Sequence, residues 1–184
     1  MSTSVAPVRI SINKILLATD FSSCSARALS SAARFARVFG AHLHLLHVLP
    51  ANELPFVPPG LQTVNGVALD SPNDPERRFD ALEGLHLIGS SSGCADLALE
   101  FHVEEGDVCH SVLREIERED IDLLVLGTHG RTGSQKLVLG SVAQTIFEQA
   151  HCLVLTVGPA CCEGHLDRGG FKNILFARQL FAAG

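Results

Sequence analysis

The chain alternates between two hydrophobic periods, and this alternation restricts the folds open to it more than any other feature. Ile12 and Ile15 to Ala18 form a nearly continuous β-prone apolar run. Leu43, Leu45, Leu46, Val48 and Leu49 form a second, Leu123 to Leu126 another and Leu153 to Val157 the last. Runs of this kind read as strands covered on both faces. Leu97, Leu99, Phe101 and Val103 instead alternate with Ala98, Glu100 and His102, as an outer strand would.

Helical periodicity fills the intervals. Ser22 or Ser23 can cap a helix whose Ala28, Leu29, Ala32, Phe35, Ala36 and Phe39 share one face, and Gly40 ends it. A second helix runs from Asp74 or Pro75 to about Ser90, with Gly84 and Gly89 as weak helix formers inside it. Gly106-Asp107 caps a third, with Val108, Val112, Leu113 and Ile116 on one face. Val142, Ala143, Ile146, Phe147 and Ala150 mark the face of the last. Pro50 to Pro75 is rich in proline and turn residues and reads as a long surface loop. The order βαβαβαβαβ implies parallel pairing through right-handed crossovers, hence an α/β, Rossmann-like doubly wound sheet with helices on both faces. Ligands of such sheets bind beyond the carboxyl ends of the strands, where the winding switches direction. That rule points to Asp20, to the segment after Val48 and to the loop after Leu126.

Composition narrows the partners. The 184 residues carry 14 basic and 20 acidic side chains, a formal net charge of −6, and no basic block that would neutralise a phosphate backbone. Trp and Tyr are absent, so stacking platforms for single strands are scarce and nucleic acid is not expected as a partner. No run approaches the roughly 18 consecutive apolar residues of a membrane span, and Met1 to Ile12 lacks an export signal's charged start and apolar core. A cytoplasmic chain without membrane contact is the expectation. Cys24, Cys94, Cys109, Cys152, Cys161 and Cys162 show no framework spacing, and the first four read as small buried hydrophobes.

The loop after Leu126 reads Gly127-Thr128-His129-Gly130-Arg131-Thr132-Gly133, and Gly140-Ser141 then opens a helix. Glycine lets a backbone approach phosphate, and a helix start attracts anions through its free N–H groups. A merely connecting turn would use the same residues, so spacing must decide. No Gly-Lys-Ser/Thr follows at Walker distance, and no G-x-G-x-x-G follows the first strand. Gly127-x-x-Gly130, nine residues, then Gly140-Ser141 resembles the nucleotide-binding signature of the universal stress protein family. The string from Asp122 to Gly133 and from Leu139 to Ala143, together with Lys14 to Ser22, Leu45 to Val48 and Cys152 to Val157, extends the resemblance over roughly residues 12 to 158.

The resemblance implies a five-stranded parallel sheet in the order 3-2-1-4-5. In the family's ATP-binding branch it implies adenosine phosphates across strands one and four, with Mg or Mn as the accompanying ion. By that likeness Ala18, Thr19, Asp20, Val48, Leu126, Gly127, Gly130, Gly140, Ser141 and Val142 fall at contact positions. Phosphates belong to the glycines and Ser141, whereas the anionic Asp20 suits the ribose or adenine side or a metal ion. Arg131 could add a charge-assisted contact, with a solvated loop arginine as the equal alternative. His129 belongs to the family string, but no acid partner is fixed beside it, so it reads as loop-bracing and no catalytic residue is assigned. His42, His44 and His47 lie on one strand with no Cys or carboxylate nearby in sequence, and read as structural.

Two functions follow from the resemblance: an ATP-dependent stress-response switch or carrier acting on an unknown protein partner, or an adenine-nucleotide-handling enzyme with slow hydrolysis or phosphoryl or adenylyl transfer. The strand Cys152 to Val157 would lie at an exposed edge, where family members commonly pair as homodimers. Residues 1–159 form the domain and residues 160–184 a tail. In the tail, Lys172 to Ala177 echoes Lys14 to Ala18 as the start of a second repeat, with Arg178 and Gln179 where Thr19 and Asp20 stand.

Overall fold

The computed structural model describes residues 11–50, 75–91, 93–127 and 141–158, together with the backbone of two short strands, 63–64 and 67–68. The main sheet has five strands: β1 (Lys14–Ala18), β2 (His42–Leu49), β3 (Leu99–Glu105), β4 (Leu123–Gly127) and β5 (Leu153–Val157). All neighbours pair in parallel, in the order β3-β2-β1-β4-β5. Four helices connect them: α1 (Ser23–Phe39), α2 (Pro75–Gly89), α3 (Val108–Glu119) and α4 (Ser141–Gln149). Asp122 fastens the amino ends of β1 and β4, its Oδ2 accepting from the backbone N–H of Asn13 at 2.7 Å and of Lys14 at 3.1 Å.

Successive strand residues point to opposite faces, so each apolar run feeds two cores. Ile15, Leu17, Leu43, Leu45, Leu123 and Val125 pack under α1 and α2 with Phe35 and Leu85. Leu16, Leu46, Leu124 and Leu126 pack under α3 and α4 with Val112, Ile116 and Ile146. Continuous apolar sequence is what a sheet buried on both sides requires.

Helix ends follow local chemistry. Ser22 caps α1 by accepting from the Ser25 N–H. Gly40 then adopts φ 66°, where its N–H reaches the Ala36 carbonyl and a side chain would be strained. Asp107 caps α3 through His110 N–H at 2.8 Å. The two glycines inside α2 serve packing: a Cβ on Gly84 would stand 3.1 Å from the Phe21 ring, and one on Gly89 would stand 2.7 Å from the Phe101 ring. Cys24 and Cys94 are buried and all four described cysteines are free. Burial pushes the Cys152 thiol up to about 11, which keeps it protonated and inert at neutral pH.

Three expectations need correction. The stretch from Pro50 to Pro75 is not loop throughout, since Thr63–Val64 and Val67–Ala68 pair antiparallel as a small hairpin. The dipeptide between them is Asn65-Gly66, a strong hairpin signal. Val142 and Phe147 do not join the buried face of α4, but are 40% and 43% exposed. His102 does not simply face water as an outer-strand residue would: on the side of the sheet that α3 covers it meets the fully buried Glu115, whereas Glu100 is exposed.

Candidate functional site: the carboxyl ends of β1 and β4

The chain leaves β1 toward β2 and β3 on one side, and returns to β4 and β5 on the other. The winding therefore switches between β1 and β4, which pair directly with Ala18 opposite Leu126. Ala18, Thr19 and Asp20 lie at this end, with Leu126 and Gly127 beside them and Val48 at the carboxyl end of the next strand.

Thr19 is buried, and its N–H donates to the Leu46 carbonyl at 2.9 Å, carrying the β1–β2 ladder one residue past the strand. Its carbonyl lies 2.7 Å from His47 Nδ1, and its hydroxyl accepts from the Phe21 N–H at 3.1 Å. Phe21 takes φ 61°, a left-handed conformation that costs a bulky residue on the order of 1–3 kcal/mol. The kink turns the chain from β1 into α1 immediately after Asp20. The Phe21 ring is held against His47 at 4.5 Å between centroids and against Gly84 of α2.

Asp20 Oδ1 accepts from Ser22 N–H at 3.0 Å and from the Ser25 hydroxyl at 2.8 Å. Oδ2 has no protein partner among the described residues. Burial raises the Asp20 pKa, but the hydrogen bonds from Ser22 and Ser25 outweigh it and hold the carboxyl below its ordinary value. At neutral pH Asp20 is thus an anion whose Oδ2, unengaged among the described residues, can accept from a hydroxyl or hold a cation.

Gly127 has a structural duty that spacing did not reveal. A Cβ there would come within 3.2 Å of Cys24 C and Ser25 N, so its absence lets the start of α1 lie against the end of β4. Gly127→Ala is expected to destabilise the fold by about 1–3 kcal/mol, because helix backbone must give way. Urea denaturation checks this; an unchanged midpoint would show that α1 moves freely.

The structure thus brings together Ala18, Thr19, Asp20, Val48, Leu126 and Gly127. Ser141 and Val142 form the exposed first residues of α4. His129, Gly130, Arg131 and Gly140 lie outside the described residues. Sequence reasoning missed His47 and Phe21, which brace Thr19 and the turn. The adjacency of Phe21 to Asp20 was visible in the sequence, but its left-handed backbone was not.

Residues 11–158 match the Universal stress protein family, and the chain belongs to that family. It is 32% identical over 146 residues to the universal stress protein MJ0531 of Methanocaldococcus jannaschii, covering 78% of this chain and 81% of that one. It is 34% identical over 143 residues to universal stress protein A homolog 1 of Coxiella burnetii, covering 78% and 94%. Among solved structures, universal stress protein UspA from Lactobacillus plantarum superposes with a TM-score of 0.62 at 22% identity, over 81% of this chain and 99% of that one. A universal stress protein from Archaeoglobus fulgidus in complex with dAMP gives 0.56 at 20% identity, over 80% and 99%. One in complex with cAMP gives 0.57 at 18%, over 81% and 98%. These likenesses establish the fold.

Proposed function

We propose that this chain is an ATP-binding universal stress protein that acts as a nucleotide-dependent switch or carrier. The observation that carries the reading is the set of groups at the β1–β4 switch point: an ionised Asp20, its Oδ2 unengaged among the described residues, aligned with the strand end that leads into the glycine sequence and on to α4. Relatives of the same fold solved with dAMP and cAMP support an adenine nucleotide as the ligand class.

In this reading the phosphates rest on Gly130, Gly140 and the N–H groups at Ser141 and Val142, where the positive end of α4 favours negative charge. Arg131 supplies a further charged contact and His129 braces the loop. Asp20 would repel a bare phosphate, so Oδ2 accepts from the ribose hydroxyls or holds the Mg2+ or Mn2+ that accompanies ATP. Thr19, Val48 and Leu126 supply backbone polar groups and apolar surface to the base. Transfer chemistry would require a positioned acid–base pair, and of the described site residues Ala18, Thr19, Asp20, Val48, Leu126 and Gly127 only Asp20 titrates. A binding role is the better fit.

Partner access comes from occupancy of the crevice, since bound ATP changes the surface beside β4. The chain also forms a homodimer along the β5 edge in this reading. Residues 160–184 add no second nucleotide site, because Arg178 and Gln179 replace the Thr-Asp pair of the first repeat. Titration calorimetry should give one ATP per chain, with affinity unchanged after truncation behind Pro159. Two sites per chain, or loss of binding on truncation, would place the tail in the site.

A further inference from the structure

On the sheet face covered by α3, away from the β1–β4 crevice, β2 and β3 bring together polar groups that nucleotide binding does not use. His44 and Glu100 are register partners on neighbouring strands, and His102 stands two residues along β3 on the same face. His44 Nδ1 lies 3.2 Å from His102 Nε2, and Glu100 Oε2 lies 3.7 Å and 3.8 Å from those two nitrogens. We propose that His44, Glu100 and His102 form a site for one divalent transition-metal ion of the zinc class.

The geometry is the first support. The point equidistant from three atoms so spaced lies about 2.1 Å from each, the Zn–N and Zn–O bond length, so an ion enters without rearranging strands. Two imidazoles with one carboxylate select zinc-class ions over Mg2+ or Ca2+, which take oxygen ligands.

The second support lies behind His102. Its other nitrogen, Nδ1, is 3.0 Å from Oε1 of Glu115, a carboxylate with 0% side-chain exposure. Arg118 Nη2 donates to the same Oε1 at 2.9 Å and lies 2.7 Å from Oε2 as an ion pair. A buried carboxylate that accepts Nδ1–H would fix the tautomer and turn the Nε2 lone pair toward the site, which is how metal-binding histidines are held. Arg118 Nη2 also stands 3.3 Å from His102 Nδ1. A guanidinium only donates, so this contact and the Nδ1–H tautomer exclude one another; the site takes the tautomer that the shorter 3.0 Å contact to Glu115 favours.

His44 is 1% exposed and its Nε2 has no hydrogen-bond partner among the described residues. Its Nδ1 stands at hydrogen-bond distance from His102 Nε2, the contact that a bound ion would replace. The Glu100 side chain is 49% exposed, which gives an entry path and room for water at the fourth position. A bound ion ties edge strand β3 to β2.

The test is zinc titration of the full chain after EDTA treatment, by calorimetry, with visible absorption of the Co2+ form as a second readout. It is made in Cys161→Ser/Cys162→Ser protein, so that the adjacent thiols cannot answer. One Zn2+ per chain is expected, with tetrahedral Co2+ bands and a raised Tm. Glu100→Gln and His102→Gln should each weaken binding on the order of 100-fold or more, and Glu115→Gln by about 10–100-fold at unchanged stoichiometry. Glu100 is exposed, so its variant keeps the fold and decides the matter if His102→Gln does not fold. Equal zinc affinity in Glu100→Gln with native circular dichroism, or no zinc uptake by the parent protein, would overturn the site.

Discussion

Placing valine at Gly130 or Gly140 should reduce ATP affinity by at least about 100-fold, equivalent to roughly 2.7 kcal/mol of binding, while the domain stays folded. The argument is steric. Phosphate oxygens approach a glycine backbone to hydrogen-bond distance, and a branched side chain occupies the volume they need. Gly140 also precedes the first residue of α4, where free N–H groups and the helix dipole act together, so displacing the ligand there loses both. Titration calorimetry reads the loss directly, and the absence of Trp makes it preferable to intrinsic fluorescence. Native circular dichroism with undiminished affinity in both variants would remove the glycine sequence from the site. Gly127→Ala is the control of opposite character, since its expected cost falls on packing of α1.

The second large effect is expected at the β5 edge. β4 pairs with β5 on one side only, leaving the other edge of Leu153–Val157 without a strand neighbour among the described residues. Leu153, Val154, Leu155 and Thr156 are each only partly buried. Phe147, on the helix that precedes this strand, is 43% exposed. An apolar edge of this kind tends to be covered, and in the proposed homodimer a second copy related by a two-fold axis would cover it with the same residues. Replacing Val154 and Leu155 together by Glu sets like charges against their own copies, which costs several kcal/mol and should raise the dimer dissociation constant at least about 100-fold. Sedimentation should show dimers for the parent and monomers for the variant, with ATP binding retained as proof of folding. A monomeric parent protein would refute the pairing.

Much of the fold was legible because its determinant is periodicity. Continuous apolar runs such as Ile15 to Ala18 and Leu123 to Leu126 have one stable use, burial on both faces of a parallel sheet. Strand order and helix caps at Ser22, Gly40 and Asp107 followed from the resemblance and from local chemistry. What escaped the sequence depends on contacts between distant segments. His44 reads as an isolated strand histidine until parallel pairing brings Glu100 and His102 beside it, more than fifty residues on. Gly127 reads as a phosphate-loop glycine, yet its missing Cβ admits the backbone of α1. Val142 and Phe147 fit a helical stripe by spacing, but only Ala143 and Ile146 of α4 are buried. The Asn65-Gly66 hairpin signal was present and was outweighed by the prolines around it.

The most direct measurement is calorimetric titration of the unmodified full chain with ATP in the presence of Mg2+, followed by assay of the recovered nucleotide. Binding at one ATP per chain, with the nucleotide recovered intact over the titration, is the predicted result. No binding heat at any accessible ATP concentration, or rapid conversion to ADP or AMP by the protein alone, would contradict a nucleotide-dependent switch or carrier.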